Sequence, residues 1–240
     1  MAYHITMKPI FLLLAAISLQ LAAQESLTEV RKHAYGNPFD PANQDVINLL
    51  NRTSSPGQVS FLLFESWKRM NVQGMDNTQL RIDSANYHIV EDKIFFLSHG
   101  KLYELHPDRI KHVILDHRAF VHTAYEIDGR RVGPGFFEVL EGGEYSLLRK
   151  FEIKKEVKND HPMGIPAATE VSYKKDEKYF YFREGSDLPE AIPTNKKDFI
   201  MIFRKRRPEM AIFARENRIS LRSEDDLKTI FAYYNGLVSQ

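Results

Sequence analysis

The chain has 240 residues, of which 43% are apolar and 27% are charged. This is the composition of an ordered globular protein, and it argues against a disordered, collagen-like or polytopic membrane chain. The 33 lysine and arginine residues nearly balance 32 aspartate and glutamate residues, so no overall charge attracts nucleic acid. The absence of cysteine excludes disulfides, thiol nucleophiles, cysteine zinc sites and lipid-modified cysteine.

The N-terminus has the three parts of a secretory signal peptide. Lys8 precedes an apolar run over residues 10–19, and the small residues Ala22 and Ala23 precede a polar segment that starts at Gln24. The run is shorter than the ~20 residues that a membrane-spanning helix needs. The sequence therefore predicts cleavage after Ala23 and export to the periplasm or beyond, as a protein that is not a lipoprotein and has no transmembrane span. An uncleaved anchor or a buried helix is the alternative interpretation.

Beyond the predicted signal peptide (residues 1–23), composition divides the chain into four segments. Residues 24–58 are polar and rich in turn formers, and we interpret them as an irregular arm. From 59 to 157, short apolar runs alternate with turn signals, as is typical of an antiparallel β domain. Residues 158–168 are predicted to be a linker, and residues 169–240 a β-hairpin with a helical subdomain.

The apolar runs of the β domain are too closely spaced for crossover helices, so we expect an antiparallel meander that closes into a roll or a small barrel. Gly142 and Gly143 give the strongest hairpin signal, because paired glycines allow the positive φ angles of a tight turn. The predicted strands are 59–66, 78–82, 86–90, 93–97, 101–105, 110–115, 119–127, 135–141 and 144–153.

A further hairpin is predicted after the linker, with strands at 170–173 and 179–182 and a turn at 175–177. Helical signals follow this hairpin. The fold class that we expect is therefore α+β, an antiparallel β meander, roll or small barrel followed by a hairpin and a short helical subdomain.

Three helices are predicted in the C-terminal subdomain. Asn195 and Asp198 resemble a capping box at the start of the first helix, and Pro208 is expected to end it. The second helix covers about 208–217. The third begins at Ser223, and it is expected to dock on its own chain through one apolar stripe, formed by Leu227, Ile230, Phe231, Tyr234 and Leu237.

The layout of the chain, together with the stretches 101–108, 136–149 and 224–235, resembles a group of uncharacterised exported proteins of Bacteroidota-type Gram-negative bacteria. The resemblance covers most of the chain after the predicted signal peptide. Its motifs are structural, so it implies export and fold and adds no catalytic residue.

Histidine is the first candidate for chemistry in a chain without cysteine. If 110–115 and 119–125 are joined by a three-residue loop, His112 lies opposite His122, close enough to share a zinc or copper ion. A two-residue loop places the two on opposite faces. Because a metal site needs three or four ligands, the sequence favours partly exposed strand histidines and predicts no cofactor.

The one dense basic run is formed by Arg204, Lys205, Arg206 and Arg207. In the last turn of a helix that stops at Pro208, these cations would complement the helix dipole, and that capping role accounts for them. The functional alternative is contact with anionic lipid or polysaccharide.

Ser84 stands in an Asp-Ser-Ala triplet at a predicted break between strands. The triplet resembles the acceptor for general O-glycosylation of exported proteins in such bacteria. A plain Asx turn explains the same residues.

These observations favour an exported, non-catalytic envelope protein, a binding or structural module whose partner is an unknown envelope protein or glycan and not nucleic acid. Two alternatives stay open. One is a metal-binding protein or hydrolase centred on residues 106–122, and the other is a peripheral protein that contacts anionic lipid or polysaccharide through residues 204–207.

Overall fold

The computed structural model of the protein describes residues 35–38, 60–98, 101–158 and 170–239. The predicted signal peptide, the predicted arm apart from 35–38, and the predicted linker apart from residue 158 lie outside these residues. The described residues are mostly antiparallel sheet with three α-helices, which confirms the α+β class.

The described elements follow one another in chain order with two short 3-10 turns, Pro107–Arg109 and Arg204–Arg206. The strands are β1 (Tyr35–Pro38), β2 (Lys68–Gly74), β3 (Gln79–His88), β4 (Lys93–Ser98), β5 (Lys101–Leu105), β6 (Ile110–Leu115), β7 (Arg118–Ile127), β8 (Arg130–Glu141), β9 (Tyr145–Lys158), β10 (Glu170–Arg183) and β11 (Glu190–Ala191). The helices are α1 (Lys196–Met201), α2 (Arg207–Glu216) and α3 (Glu224–Val238).

The described strands form one sheet that is open at one end and closed on itself at the other. The open part has the order β1-β5-β4-β3-β2-β6-β7. Strand β7 also pairs with β8, and the ladder continues through β9, β10 and β11 back to β7, so these five strands form a closed ring. The pairing of β11 with β7 is parallel and the other pairings are antiparallel.

Tight turns fix the registers of the central strands. Asp116 and His117 join β6 to β7 with φ angles of 50° and 68°, and Asp128 and Gly129 join β7 to β8 with 50° and 73°. Two consecutive positive φ angles are typical of a type I′ turn, whose twist matches that of an antiparallel pair. The β6–β7 loop therefore has two residues.

Strand β7 faces two hydrophobic cores, because successive side chains of a strand point to opposite faces. Phe120 packs into the core of the open part, where the Tyr87 ring contacts Phe120, Phe136 and Phe151. Val121, together with Tyr125, packs into the ring. The rest of the ring core is formed by Phe137, Leu148 and Phe180.

Several predicted strands differ from those observed. Residues 60–66 of the predicted strand 59–66 form no strand, and their one β-bridge joins Leu62 to His88. No strand was predicted between residues 67 and 77, but β2 forms there, and the burial of its side chains alternates along the strand. Strand β3 runs without the predicted break, because Asp83 lies at a bulge with its side chain in solvent near Arg69 and Arg81.

The predicted hairpin at 170–182 is wrong. Residues 170–183 form one strand, β10, that pairs with β9 along its whole length. The charged residues that suggested a turn lie in the middle of this ribbon, where Asp176 pairs with Lys154 across the strands at 2.5 Å. Charge is tolerated there because this face of the ribbon is exposed to water.

The three helices cover one end of the ring and enclose a third apolar cluster. Leu227, Ile230, Phe231 and Tyr234 of α3 are buried against Phe199 and Phe203 and against strand β9, as the apolar stripe predicted. The predicted caps are also present, since Asn195 Oδ1 accepts from the Asp198 N–H and Ser223 Oγ from the Asp226 N–H. None of the described helices is both long and apolar enough to cross a membrane.

Candidate anion-binding surface

The basic run does not cap a helix. Helix α1 ends at Met201 with no cation in its last turn, and Arg204–Arg206 form a 3-10 turn that leads into α2 at Arg207. Pro208 lies in the first turn of α2, where its fixed φ and missing N–H fit well. The prediction that Pro208 ends the helix is therefore wrong. The cations stand at a helix N-terminus, where the dipole disfavours them.

All four side chains of the run are exposed, and two of them, Arg206 and Arg207, make polar contacts within the protein. Arg206 Nη1 lies 3.2 Å from the Glu209 carboxylate. Arg207 donates from Nε to the carbonyl oxygen of Arg204 at 2.9 Å, and its Nη1 lies 3.1 Å from the sulfur of Met201. Arg204 has a positive φ of 49°, which costs a non-glycine residue about 1 kcal/mol. Capping of a helix C-terminus therefore does not explain why four cations stand at this turn.

The run is the centre of a longer segment of positive charge, residues 196–222, which we call the basic segment. Of the 33 cations and 32 acidic residues of the chain, nine and three fall within it, which leaves 24 and 29 elsewhere. All nine cations are exposed: Lys196, Lys197, Arg204, Lys205, Arg206, Arg207, Arg215, Arg218 and Arg222. A chain that is neutral as a whole therefore has one strongly basic segment.

Two large apolar side chains of the basic segment are also exposed. Met201 is 51% and Ile212 49% exposed. Met201 contacts the Arg207 guanidinium, and Ile212 lies three residues before Arg215 on α2, so that the two share a helix face. Apolar side chains interleaved with cations are typical of surfaces that rest on anionic bilayers.

A half-buried hydrogen bond ties the basic segment to the ring. The Tyr145 hydroxyl donates to the carbonyl oxygen of Ile202 at 2.8 Å, just ahead of the basic run. Burial raises the pKa of the Tyr145 and Tyr181 hydroxyls, and the nearby charge of Arg204 opposes this rise. Arg204 follows Ile202 by two residues, so the basic run begins next to this contact.

The structure separates the two histidines that the sequence singled out. Val113 of β6 pairs with Phe120 of β7. His122 shares the face of Phe120, whereas His112 precedes Val113 by one residue and points to the opposite face. The two-residue loop, which was the alternative, is the one observed, and the shared metal site is not formed.

Each of the two imidazoles has an environment of its own. The His122 ring lies 4.7 Å from that of Phe136, and His112 Nδ1 is buried without a hydrogen-bond partner among the described residues. Burial lowers the pKa of both side chains, which favours neutral imidazole. Among the described residues, no three His, Asp or Glu side chains are grouped to hold a metal ion.

Ser84 lies within the continuous strand β3, next to the bulge opposite Arg69. Its side chain is half-buried, while the preceding Asp83 is exposed and the following Ala85 is fully buried. The predicted break between strands at this position is absent, so the triplet is presented by a strand and not by a turn.

One buried ionic cluster was not predicted. Asp92 Oδ1 accepts from the Tyr87 hydroxyl at 2.7 Å and from the Phe136 N–H at 3.0 Å, and Oδ2 lies 2.5 Å from Lys150 Nζ. Lys150 is only 6% exposed. A Cβ at Gly135 would collide with Asp92 and Lys150, so glycine leaves the space that this ion pair occupies.

A second unpredicted cluster connects the ring to α3. Glu138 is buried and accepts from the guanidinium groups of Arg118, at 2.5 and 2.7 Å, and of Arg149, at 2.6 and 2.9 Å. Arg149 also contacts Glu224 of α3, which in turn contacts Lys228. Both clusters join strands that are distant in sequence, and we assign them structural roles. The only sequence signal was a pair of cations, Arg149 and Lys150, inside an apolar strand.

The chain matches no family model, no curated protein and no solved structure. The function of the protein is therefore inferred from the surface chemistry of the described residues.

Proposed function

We propose that the protein is an exported, non-catalytic binding module of the cell envelope, and that it contacts anionic lipid through the basic segment. The observation that carries this proposal is the position of Arg204, Lys205, Arg206 and Arg207. These cations are exposed and precede a helix, where they oppose its dipole. A ligand that supplies negative charge gives them a role that the fold does not.

The charge of the basic run favours peripheral binding, and the five other cations of the basic segment add to it. A cation close to an anionic bilayer contributes about 1 kcal/mol, so the four cations of the run together supply about 4 kcal/mol. The exposed side chains of Met201 and Ile212 favour a bilayer over a soluble polyanion, because they add apolar contact at the same surface.

The signal-like N-terminus supports an envelope location, as does the resemblance to exported proteins of Bacteroidota-type bacteria. Fractionation of the source cells followed by mass analysis tests this part of the proposal. We expect a chain that starts near Gln24 in the periplasmic or extracellular fraction. A cytoplasmic chain with Met1 intact would contradict it.

Vesicle co-sedimentation tests the lipid contact. We expect the exported chain to bind phosphatidylcholine vesicles that contain phosphatidylglycerol, to ignore pure phosphatidylcholine, and to be released by salt. The variant R204E/K205E/R206E/R207E should lose binding. As a matched control, R130E/R131E/K155E/K174E changes four exposed cations outside the basic segment by the same total charge and should bind like the wild type.

Equal loss of binding in both variants would show that only net charge matters. Binding to an anionic polysaccharide and not to the vesicles would favour the glycan alternative. The metal-binding or hydrolase alternative is less favoured, because His112 and His122 lie on opposite faces of the sheet.

A further inference from the structure

We infer that the 204–207 turn recognises phosphomonoester groups, and that it does so through paired guanidinium groups and not through charge alone. This inference rests on the proposed function and goes beyond it, because it names the chemical group that the basic segment binds most tightly.

The first observation is the kind of cation. Between residues 204 and 222, six of seven cations are arginine, whereas lysine is the commoner cation in the rest of the chain. Lysine serves as a point charge on a flexible stem. Arginine presents a planar fork of N–H donors that matches two oxygens of one phosphate.

The second observation is the geometry of the turn. Arg204–Arg206 form a 3-10 turn that leads into α2, and Arg204 enters this turn with a positive φ of 49°. Arg204 and Arg207 are three apart, and the Nε of Arg207 is already bound to the carbonyl oxygen of Arg204 at 2.9 Å. This bond orients the Arg207 guanidinium beside the turn before any ligand arrives. The side chain of Arg204 has no hydrogen bond to another described residue.

The third observation is the placement of the nearby carboxylate. Glu209 interacts with Arg206, and this contact and the backbone hydrogen bond at Glu209 lower the pKa of its carboxyl group. Glu209 therefore pairs with Arg206. The Arg204 guanidinium and the N–H groups of Arg207 that do not contact the Arg204 carbonyl or Met201 have no carboxylate partner among the described residues and can bind an external anion. A phosphomonoester carries close to two negative charges at neutral pH and three terminal oxygens. Two guanidinium forks can share these oxygens, whereas a phosphodiester offers only two oxygens and one charge.

The test compares lipids of equal surface charge that differ in phosphate chemistry. Vesicles that contain phosphatidic acid, a monoester, are matched by zeta potential to vesicles with phosphatidylglycerol, a diester. We expect the exported chain to bind the phosphatidic acid vesicles about fivefold more tightly or better. The charge-preserving variant R204K/R206K/R207K should keep its binding to phosphatidylglycerol and lose this preference.

The control variant R215K/R218K/R222K makes the same three exchanges elsewhere in the basic segment and should keep the preference. Unchanged melting temperatures of both variants would show that the fold is intact. Glycerol 3-phosphate added as a competitor distinguishes the source of the group. Displacement would identify a free phosphomonoester as sufficient, and binding that persists would identify the lipid-borne form.

Two outcomes overturn the inference in distinguishable ways. Equal affinity for the two lipids, or a preference that survives in R204K/R206K/R207K, would reject phosphomonoester recognition and leave anionic lipid binding standing. No binding to either lipid would reject the proposed function and the inference together.

Discussion

The side chain of Asn235 on α3 satisfies both backbone groups of Tyr145 on β9. Its Oδ1 accepts from the Tyr145 N–H at 3.1 Å, and its Nδ2 donates to the Tyr145 carbonyl oxygen at 2.9 Å and to that of Gly142 at 3.1 Å. An amide thereby replaces a neighbouring strand at the β8–β9 turn. A Cβ at Gly143 would collide with this amide, so the glycine is required both for the turn and for the helix.

We expect Asn235→Ala to lower the free energy of unfolding by about 2–4 kcal/mol, because it leaves part-buried backbone groups without partners. Urea denaturation measures the change. Asn217→Ala is the matched control. It removes an exposed Asn directly after α2 that also donates to a backbone carbonyl, and it should cost below about 1 kcal/mol. Equal losses in the two variants would contradict a special role for Asn235.

Half-buried Asp92 and buried Lys150 form an ion pair that should behave as a unit. Asp92→Ala leaves the Lys150 ammonium buried without its carboxylate, and we expect a loss of about 3–5 kcal/mol in unfolding free energy. The double variant Asp92→Ala with Lys150→Met should recover part of this loss, since it removes the uncompensated charge. Asp83→Ala, which breaks the exposed contacts with Arg69 and Arg81, is the control and should cost less than about 1 kcal/mol. A double variant as unstable as the sum of its single variants would refute the coupling.

Acid should loosen the contact between α3 and the ring. Desolvation raises the pKa of Glu224, but Lys228 and Arg149 outweigh it and hold the pKa below its ordinary value of 4.5. A carboxyl group whose pKa is depressed by folding stabilises the protein above its unfolded pKa and loses this contribution as the pH falls through the folded value. We therefore expect a drop in stability below about pH 4.5.

Glu224→Gln should be less stable than the wild type at pH 7 and should show a smaller drop in acid. Asp225→Asn removes an exposed carboxylate from the same helical turn and serves as the control. Chemical denaturation at a series of pH values measures both profiles. If the profile of Glu224→Gln coincided with that of the wild type, the ion pairs with Arg149 and Lys228 would contribute nothing.

Zinc should not stabilise the protein. His112 and His122 lie on opposite faces of the sheet, and a ligand stabilises a fold only when it binds the folded state more tightly than the unfolded chain. We expect the melting temperature to be the same with zinc and with a chelator, in the wild type and in His112→Ala with His122→Ala. A rise with zinc in the wild type that disappears in the double variant would restore the metal-binding alternative.

Local signals in the sequence predicted much of the second half of the chain. Asn195 and Ser223 cap their helices, and the stripe from Leu227 to Tyr234 is buried, because capping and helical periodicity depend on residues within a few positions of each other. The hairpin at Gly142 and Gly143 was also predicted from its glycines, although its loop has three residues, 142–144, and only Gly143 has a positive φ.

The same local reasoning failed where pairing between strands that are distant in sequence determines the secondary structure. The charged residues Lys175 and Asp176 favour a turn in isolation, but all fourteen residues of β10 pair with β9, and this ladder hydrogen-bonds the backbone of every second residue and keeps the strand straight through the charged stretch. Pro208 was expected to end the first helix and to stand at the start of the second. It does stand in the first turn of the second helix, but the first helix ends earlier, at Met201, so proline marks only the helix start here. Because the first helix ends before the basic run and the second begins at Arg207, these cations lie at a helix N-terminus and not at a helix C-terminus. They therefore oppose the helix dipole, and the capping interpretation no longer applies.

The sequence by itself determined the α+β class, the turn positions at Asp128 and at Gly142, the helix caps and the segment where positive charge is concentrated, since each depends on residue type and near neighbours. The tertiary structure alone decided that β7 to β11 close into a ring, that a two-residue loop separates His112 from His122, and that Asp92 meets Lys150. These outcomes depend on the register between strands, and one residue of register moves every side chain of a strand to the other face.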